Sequence, residues 1–335
     1  MRAARIASAA FGLACVLASP AAAQQNPVVR ALTEPWPEIV EVEGIEILHV
    51  LDNVYMLVGG GANVTVAFGD EGLVMVDTGA AGNAERLQAA VRHLTDQPLR
   101  ALIISSPDAD KVGNNAAMVE WAGGIQSAVG GGTGANANQN SGTTFVAHES
   151  VFTRLLLGTD GLPPQTGDAL PASTFFTARK DSYINGQPVQ VFHEPNAHTD
   201  GDVIVFFRGS DVIHAGEIYR TDQFPVIDLE RGGSINGLIG GLNHVLELMV
   251  PQRNQMGGTR VVPAHGRIGN EADVLEYRDM VTIIRDRVQS LIADGASLEQ
   301  VLGAGVALEY QQYGNNPEWS TDMFVTAVYE SLSQE

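Results

Sequence analysis

From residue 45 the chain alternates apolar and polar positions in short runs: "IEILHVLDNVYMLVG", "NVTVAFG" and "GLVMVDTG", parted by glycine-rich turns. Such runs, rich in valine, isoleucine and leucine and bounded by glycine or asparagine, predict β-strands. The period then changes. In "AERLQAAVRHLTDQ", residues 84–97, Leu87, Ala90, Val91 and Leu94 recur at three- and four-residue steps, which predicts a helix with one apolar face. "LRALIISS" returns to a strand, so the first half opens β-β-β-α-β. The second half repeats the mixture. "QPVQVFHEPN", "DVIVFFRG" and "DVIHAGEIY" predict strands, and "SINGLIGGLNHVLELMV" predicts a helix with Leu238, Leu242, Val245 and Leu246 on one side. "TRVVPAHG" is a last strand, and from Glu271 the pattern is helical. Strands followed by helices in each half predict two packed sheets with helices outside.

Three stretches stand apart. Residues 1–23 carry Arg2 and Arg5, a short apolar run and an Ala21-Ala22-Ala23 ending, the pattern of a secretory signal peptide. Residues 24–40 hold three prolines and read as an extended leader. Residues 123–143, rich in glycine, asparagine and serine, read as a loop, either a lid or an ordinary surface loop. The expected organisation is a signal peptide, a leader and one domain over 41–335, in a periplasmic or secreted protein free of the membrane after cleavage. Cys15, the single cysteine, lies in the signal segment, so the mature chain has no thiol for a disulfide, a metal or a substrate. A formal charge of −20 argues against nucleic acid and anionic membranes as partners and leaves a small-molecule substrate.

Candidate chemistry gathers where strands open into loops. "LIISSPDADKVGNNAAM" places Ser105, Ser106, Asp108, Asp110 and Lys111 between an apolar strand and a turn. Of the eight histidines, His93 and His244 fall on helices and His49 in a strand. His148 and His193 flank strands without an obvious partner, and His214 reads as a satisfied core residue. His198 in "NAHTDGD" and His265 in "PAHGR" differ, for each stands at a strand mouth near glycine, with no bulky neighbour in the way. Glu217 in "HAGEIY" and Asp77 in "VMVDTG" occupy similar places. Carboxylates and imidazoles converging from several strand ends make a divalent-metal site. The competing reading is that each residue caps its own loop.

The order of these motifs resembles the metallo-β-lactamase-fold hydrolase superfamily over nearly all of the mature chain. That family carries D-T-G, then T-H-x-H-x-D-H-x-G-G-N, then H-T-x-G, G-D and P-G-H-G. Here the series reads Asp77-Thr78-Gly79, "SSPDADKVGNN", "HTDGD", Gly216-Glu217 and "PAHG". The resemblance implies an α/β fold, the four-layer αββα sandwich, with its site along one edge of the sheets. It also implies losses. Ser106, Asp108 and Lys111 stand where the family has three metal-binding histidines, and Glu217 stands for its bridging aspartate; Asp110, His198 and His265 keep the family's residue types. One metal position is left with Asp108, His198 and Glu217, the other with Asp110 and His265 sharing Glu217. Asp77 and Ser106 lie behind the ligands. Lys111 has no lone pair while charged and opposes a cation. The implied protein is a hydrolase of an ester, lactone, amide or related bond through metal-activated water. It would hold at most one zinc, manganese or iron ion, with Asp110 orienting the water or acting as base and Lys111 stabilising an oxyanion. The alternative is a metal-free binding protein with a Lys111-centred pocket.

Overall fold

The computed structural model describes residues 39–334, apart from 131–142, 159–160, 252–253 and 255–256. The signal peptide and residues 24–38 of the leader lie outside the described residues. The chain begins with strands β1 (Val40–Val42), β2 (Ile45–Leu51), β3 (Val54–Val58), β4 (Val64–Gly69) and β5 (Gly72–Val76). The run from residue 45 to 59 is thus a hairpin, turned at Asp52 with φ 48°. Helix α1 (Ala84–Leu94) and strand β6 (Leu99–Ile103) follow, then a single turn α2 (Ala109–Val112) and helix α3 (Asn115–Gly130). Helix α3 takes in the start of the stretch expected to be a loop, whose residues 131–142 lie outside the described ones.

Strands β7 (Thr144–His148), β8 (Ser173–Phe175) and β9 (Arg179–Ile184), with helix α4 (Glu149–Leu157) after β7, are elements the hydrophobic pattern does not announce. The predicted second half then appears as β10 (Gln187–His193), β11 (Val203–Phe207), β12 (Val212–Gly216), α5 (Ile235–Leu248) and β13 (Arg260–Pro263). Helices α6 (Glu271–Ala293), α7 (Leu298–Gly303) and α8 (Thr321–Gln334) close the chain. Local chemistry sets their starts. Asn270 and Asp273 cap α6 reciprocally, and the Ser234 hydroxyl accepts the Gly237 N–H at the start of α5.

The strands form an eight-stranded sheet in the order β1 to β8 and a five-stranded sheet in the order β13-β12-β11-β10-β9. Their period-two alternation sorts side chains into separate apolar layers. Leu73 and Met75 of β5 face α1 and α3, whereas Val74 and Val76 face the other sheet. On β11, Ile204 and Phe206 join α5, α6 and α8, and Val203, Val205 and Phe207 join the inter-sheet layer. Three apolar layers between helix, sheet, sheet and helix make the four-layer sandwich expected. Strands β5 to β8 run parallel, as do β12 and β13, so polar loops collect at their C-terminal ends. The two sheets are stitched there: Val203 N–H donates to Ser105 O at 2.9 Å and Asn63 Nδ2 to Pro263 O at 3.0 Å.

Candidate active site

The loop after β5 fixes the loop after β6. Asp77, buried and in the left-handed region at φ 66°, accepts the Ser105 N–H at 2.8 Å and the Ser105 hydroxyl at 2.6 Å. The next turn is clamped by Thr78 N–H on Lys111 O at 2.6 Å and Gly113 N–H on Gly79 O at 2.9 Å. Gly113 allows that approach, since a Cβ there would stand 2.1 Å from the Ala81 nitrogen. The result is that α2 is held against the sheet edge, with Asp108 before it and Asp110 and Lys111 inside it.

Lys111 points inward. Its side chain is wholly buried, and Nζ lies 2.5 Å from Glu217 Oε1, 3.4 Å from Asp108 Oδ2 and 3.8 Å from Asp110 Oδ1. Glu217 follows β12 through Gly216, whose φ of 54° turns the chain back over the site. Its second oxygen accepts Arg220 Nη1 at 2.9 Å. Besides Lys111, Asp108 is shared by three groups: Arg231 Nη2 at 2.7 Å, His198 Nε2 at 3.3 Å and the Ser106 hydroxyl at 2.5 Å. His265 Nε2 meets Asp110 at 2.9 Å and Glu217 at 3.5 Å. Asp110 and His265 are the open pair, 35% and 25% exposed, against 4% for Glu217 and His198.

Burial opposes every charge in this cluster, and the partners outweigh it. Burial would raise Asp108, but Lys111, His198 and Arg231 hold it well below the usual carboxylate range. Lys111 and Arg220 do the same for Glu217. Lys111 and His265 lower Asp110. In the other direction, Glu217, Asp110 and Asp108 overcome the burial of Lys111 and raise it above an ordinary lysine. Asp108 carries His198 up to about 9 against its own burial. His198 donates from Nδ1 to Val226 O at 2.9 Å and faces Asp108 with Nε2 at 3.3 Å.

These facts test the fit to metal ions. Among the described residues, the donor atoms that converge within 4.8 Å are those of Asp110, Glu217 and His265. They form the second of the two positions expected; in the first, Asp108 meets both His198 and Arg231. Three donors are the number a catalytic zinc takes. But the Lys111 ammonium already sits on two of them. At ~4 Å and an effective dielectric constant near 20, an ammonium and a dication repel by about 8 kcal/mol. At the other position Asp108 Oδ1 is already taken by His198 and Arg231, and its Oδ2 by Ser106 and Lys111. The residues do not fit a metal pair.

Of the residues singled out in the sequence, Asp108, Asp110, Lys111, His198, Glu217 and His265 share one cluster, with Ser106 against Asp108 and Asp77 behind Ser105. Arg220 and Arg231 were not legible as members. Each has an acidic residue close in sequence, Asp222 or Asp228, and that local pairing was the available signal. His148 and His193 are each other's partner, their rings stacked at 3.6 Å and 10°. His148 Nδ1 accepts the Ser150 N–H, and burial together with His193 pushes the ring down to about 4. His214 bonds Thr65 at 2.9 Å through Nδ1, while its Nε2 lies 3.2 Å from Asp77 without the alignment of a hydrogen bond. Asp202, buried beside His198, is pushed up to about 7. Beside the site, Trp319 donates from its indole to Pro225 O at 3.1 Å, one residue before the carbonyl that holds His198. A hollow of ≈ 540 Å³ lined by Arg179, Phe192, Phe206, Arg208 and Glu247 includes no residue of the cluster.

A four-layer sandwich with polar loops gathered on one sheet edge defines a hydrolase-like α/β fold. The profile of the metallo-β-lactamase superfamily matches residues 57–265, and the chain belongs to that superfamily. None of the curated proteins compared matches it. Among solved structures, the stereoselective inverting sec-alkylsulfatase Pisa1 from Pseudomonas sp. is similar at 15% identity and a TM-score of 0.63, covering 85% of this chain. This chain spans about half the length of that enzyme, 49%. The metallo-β-lactamase from Pontibacter korlensis is similar at 16% identity and a TM-score of 0.50, over 71% of this chain and 99% of its own. DIM-1 metallo-β-lactamase gives 16% and 0.51, over 72% and 99%. At these identities the likeness is one of fold.

Proposed function

We propose that this chain is an exported, metal-free member of the superfamily that binds an uncharged polar small molecule at the mouth formed by Asp110 and His265. The observation that carries the reading is Lys111 Nζ, fully buried and 2.5 Å from Glu217 inside the set of donor atoms a metal would need. A lysine held so firmly by carboxylates keeps its proton and stays in place. It is also spoken for. Lys111, Arg220 and Arg231 each meet a carboxylate, so none is left over to recognise an acid group on a ligand. What a ligand meets is a carboxylate and an imidazole, the acceptor and donor that suit an ester, lactone or amide carbonyl and its neighbouring hydroxyl.

A second reading rests on the convergence of Asp110, Glu217 and His265 within 4.8 Å. There the chain is a mononuclear hydrolase of a neutral ester, lactone or amide, and those three residues would hold one zinc, manganese or iron ion that activates water. Elemental analysis of the mature protein, purified without a tag or chelator, separates the two. The first reading expects no stoichiometric metal and no uptake on dialysis against zinc, manganese or iron(II). About one equivalent per chain, lost in His265→Ala, would overturn it in favour of the second.

A further inference from the structure

The fold's metal positions and this chain's residues disagree in an ordered way. Three carboxylates turn into the cluster, Asp108, Asp110 and Glu217, and three tethered cations reach them. Lys111 and Arg220 take the two oxygens of Glu217 at 2.5 and 2.9 Å, and Arg231 takes Asp108 at 2.7 Å. Neither arginine arrives loosely. Asp222 grips the Arg220 guanidinium with both oxygens at 3.1 Å. Asp228 accepts Arg231 Nε at 2.6 Å and the Arg231 N–H at 2.8 Å. The Arg231 carbonyl in turn accepts the Asp200 N–H at 2.9 Å and Arg154 Nη2 at 3.0 Å. A guanidinium aimed by a neighbouring carboxylate loses little further freedom when it meets its second partner. This is a built arrangement, with one local aspartate to aim each arginine and one cluster carboxylate to receive it.

We propose that Lys111, Arg220 and Arg231 are tethered cations doing the charge balancing of a metal pair, and that the cluster is a latent divalent-cation site kept closed by Lys111. This rests on the metal-free reading above. The two positions are unequal. Removing Lys111 frees Asp110, Glu217 and His265, whose donor atoms already converge. Removing Arg231 leaves Asp108 still shared by Ser106, His198 and Lys111, and leaves Lys111 on two of the three donors that converge, so too little is free to hold an ion.

The test compares wild type with Lys111→Met, Lys111→His and Arg231→Met. Arg287→Ala, in an exposed pair with Glu309, serves as control. Each protein is dialysed against zinc or manganese, its metal content measured, and its Tm recorded with and without the ion. Wild type and control should take up none. Both Lys111 variants should take up about one equivalent and melt higher when the ion is added. Arg231→Met should melt lower than wild type and take up none. Folded Lys111 variants that stay metal-free, with a Tm blind to the ion, would overturn the proposal. So would failure of both to fold whether or not zinc is supplied during expression. Those outcomes leave the metal-free reading standing, whereas stoichiometric metal in wild type removes that reading itself.

Discussion

At the scale of single residues, the histidines show how differently one side chain is used. His198 is carried up to about 9 by Asp108, while His148, packed face to face on His193, is pushed down to about 4. The second case has a consequence for stability. An unfolded histidine takes its proton near 6.5, and folded His148 does so only near 4, so the unfolded chain binds more protons between those values. The contribution of His148 is therefore whole above pH 6.5 and is lost as pH falls towards 4. Replacing it by phenylalanine keeps a flat ring and removes the proton site. The fall in Tm between pH 6.5 and pH 4 should be shallower in His148→Phe than in wild type. Parallel slopes would mean that the stack contributes nothing to acid sensitivity.

Among elements, α2 is the one whose position matters most. It is one turn long, too short to hold itself together, and the backbone bonds from Thr78 and Gly79 keep it where Lys111 reaches Glu217. Gly113 is where that docking is most exposed to change. A methyl group there meets the Ala81 backbone, so Gly113→Ala should cost on the order of 3 kcal/mol or more in denaturant unfolding. The same exchange at Gly240, in helix α5 with open space around it, should instead gain about 1 kcal/mol. Equal effects at the two sites would show that the clash at α2 is relieved by an easy shift.

Taken whole, the molecule carries far more acid than base, 39 aspartates and glutamates against 19 lysines and arginines. Like charges over the surface repel in the compact state, and salt screens them. Raising sodium chloride from ~10 mM to ~300 mM, across which the screening length falls from about 30 Å to under 10 Å, should raise the Tm. The buried pairs of the cluster are screened much less. A Tm that falls with salt would mean that attractive surface pairs, such as Arg179 with Asp181, outweigh the general repulsion.

That scarcity of base bears on what the sequence could tell. The sandwich was legible because period-two and helical patterns are local, and five ordered landmarks carried the family. The hairpin at Asp52 was hidden inside one continuous apolar run, and β7 to β9 are short or polar. Six of the site residues were named from strand mouths alone. Their pairings were not, because Lys111 meets Glu217 across 106 positions and Arg231 meets Asp108 across 123, separations that only folding closes. No helix among the described residues is long and apolar enough to cross a membrane.

The indole of Trp319 gives this molecule an optical handle on its own interior. Its N–H rests on Pro225 O, and the next carbonyl along holds His198, so the fluorophore and the charged cluster share one short piece of backbone. Emission from Trp319, read in a chain whose Trp36 and Trp121 have both been made phenylalanine, would follow anything that moves that backbone. Ligand entry, the loss of Arg231 or the arrival of a metal could then be watched in real time, without a label and without knowing the substrate.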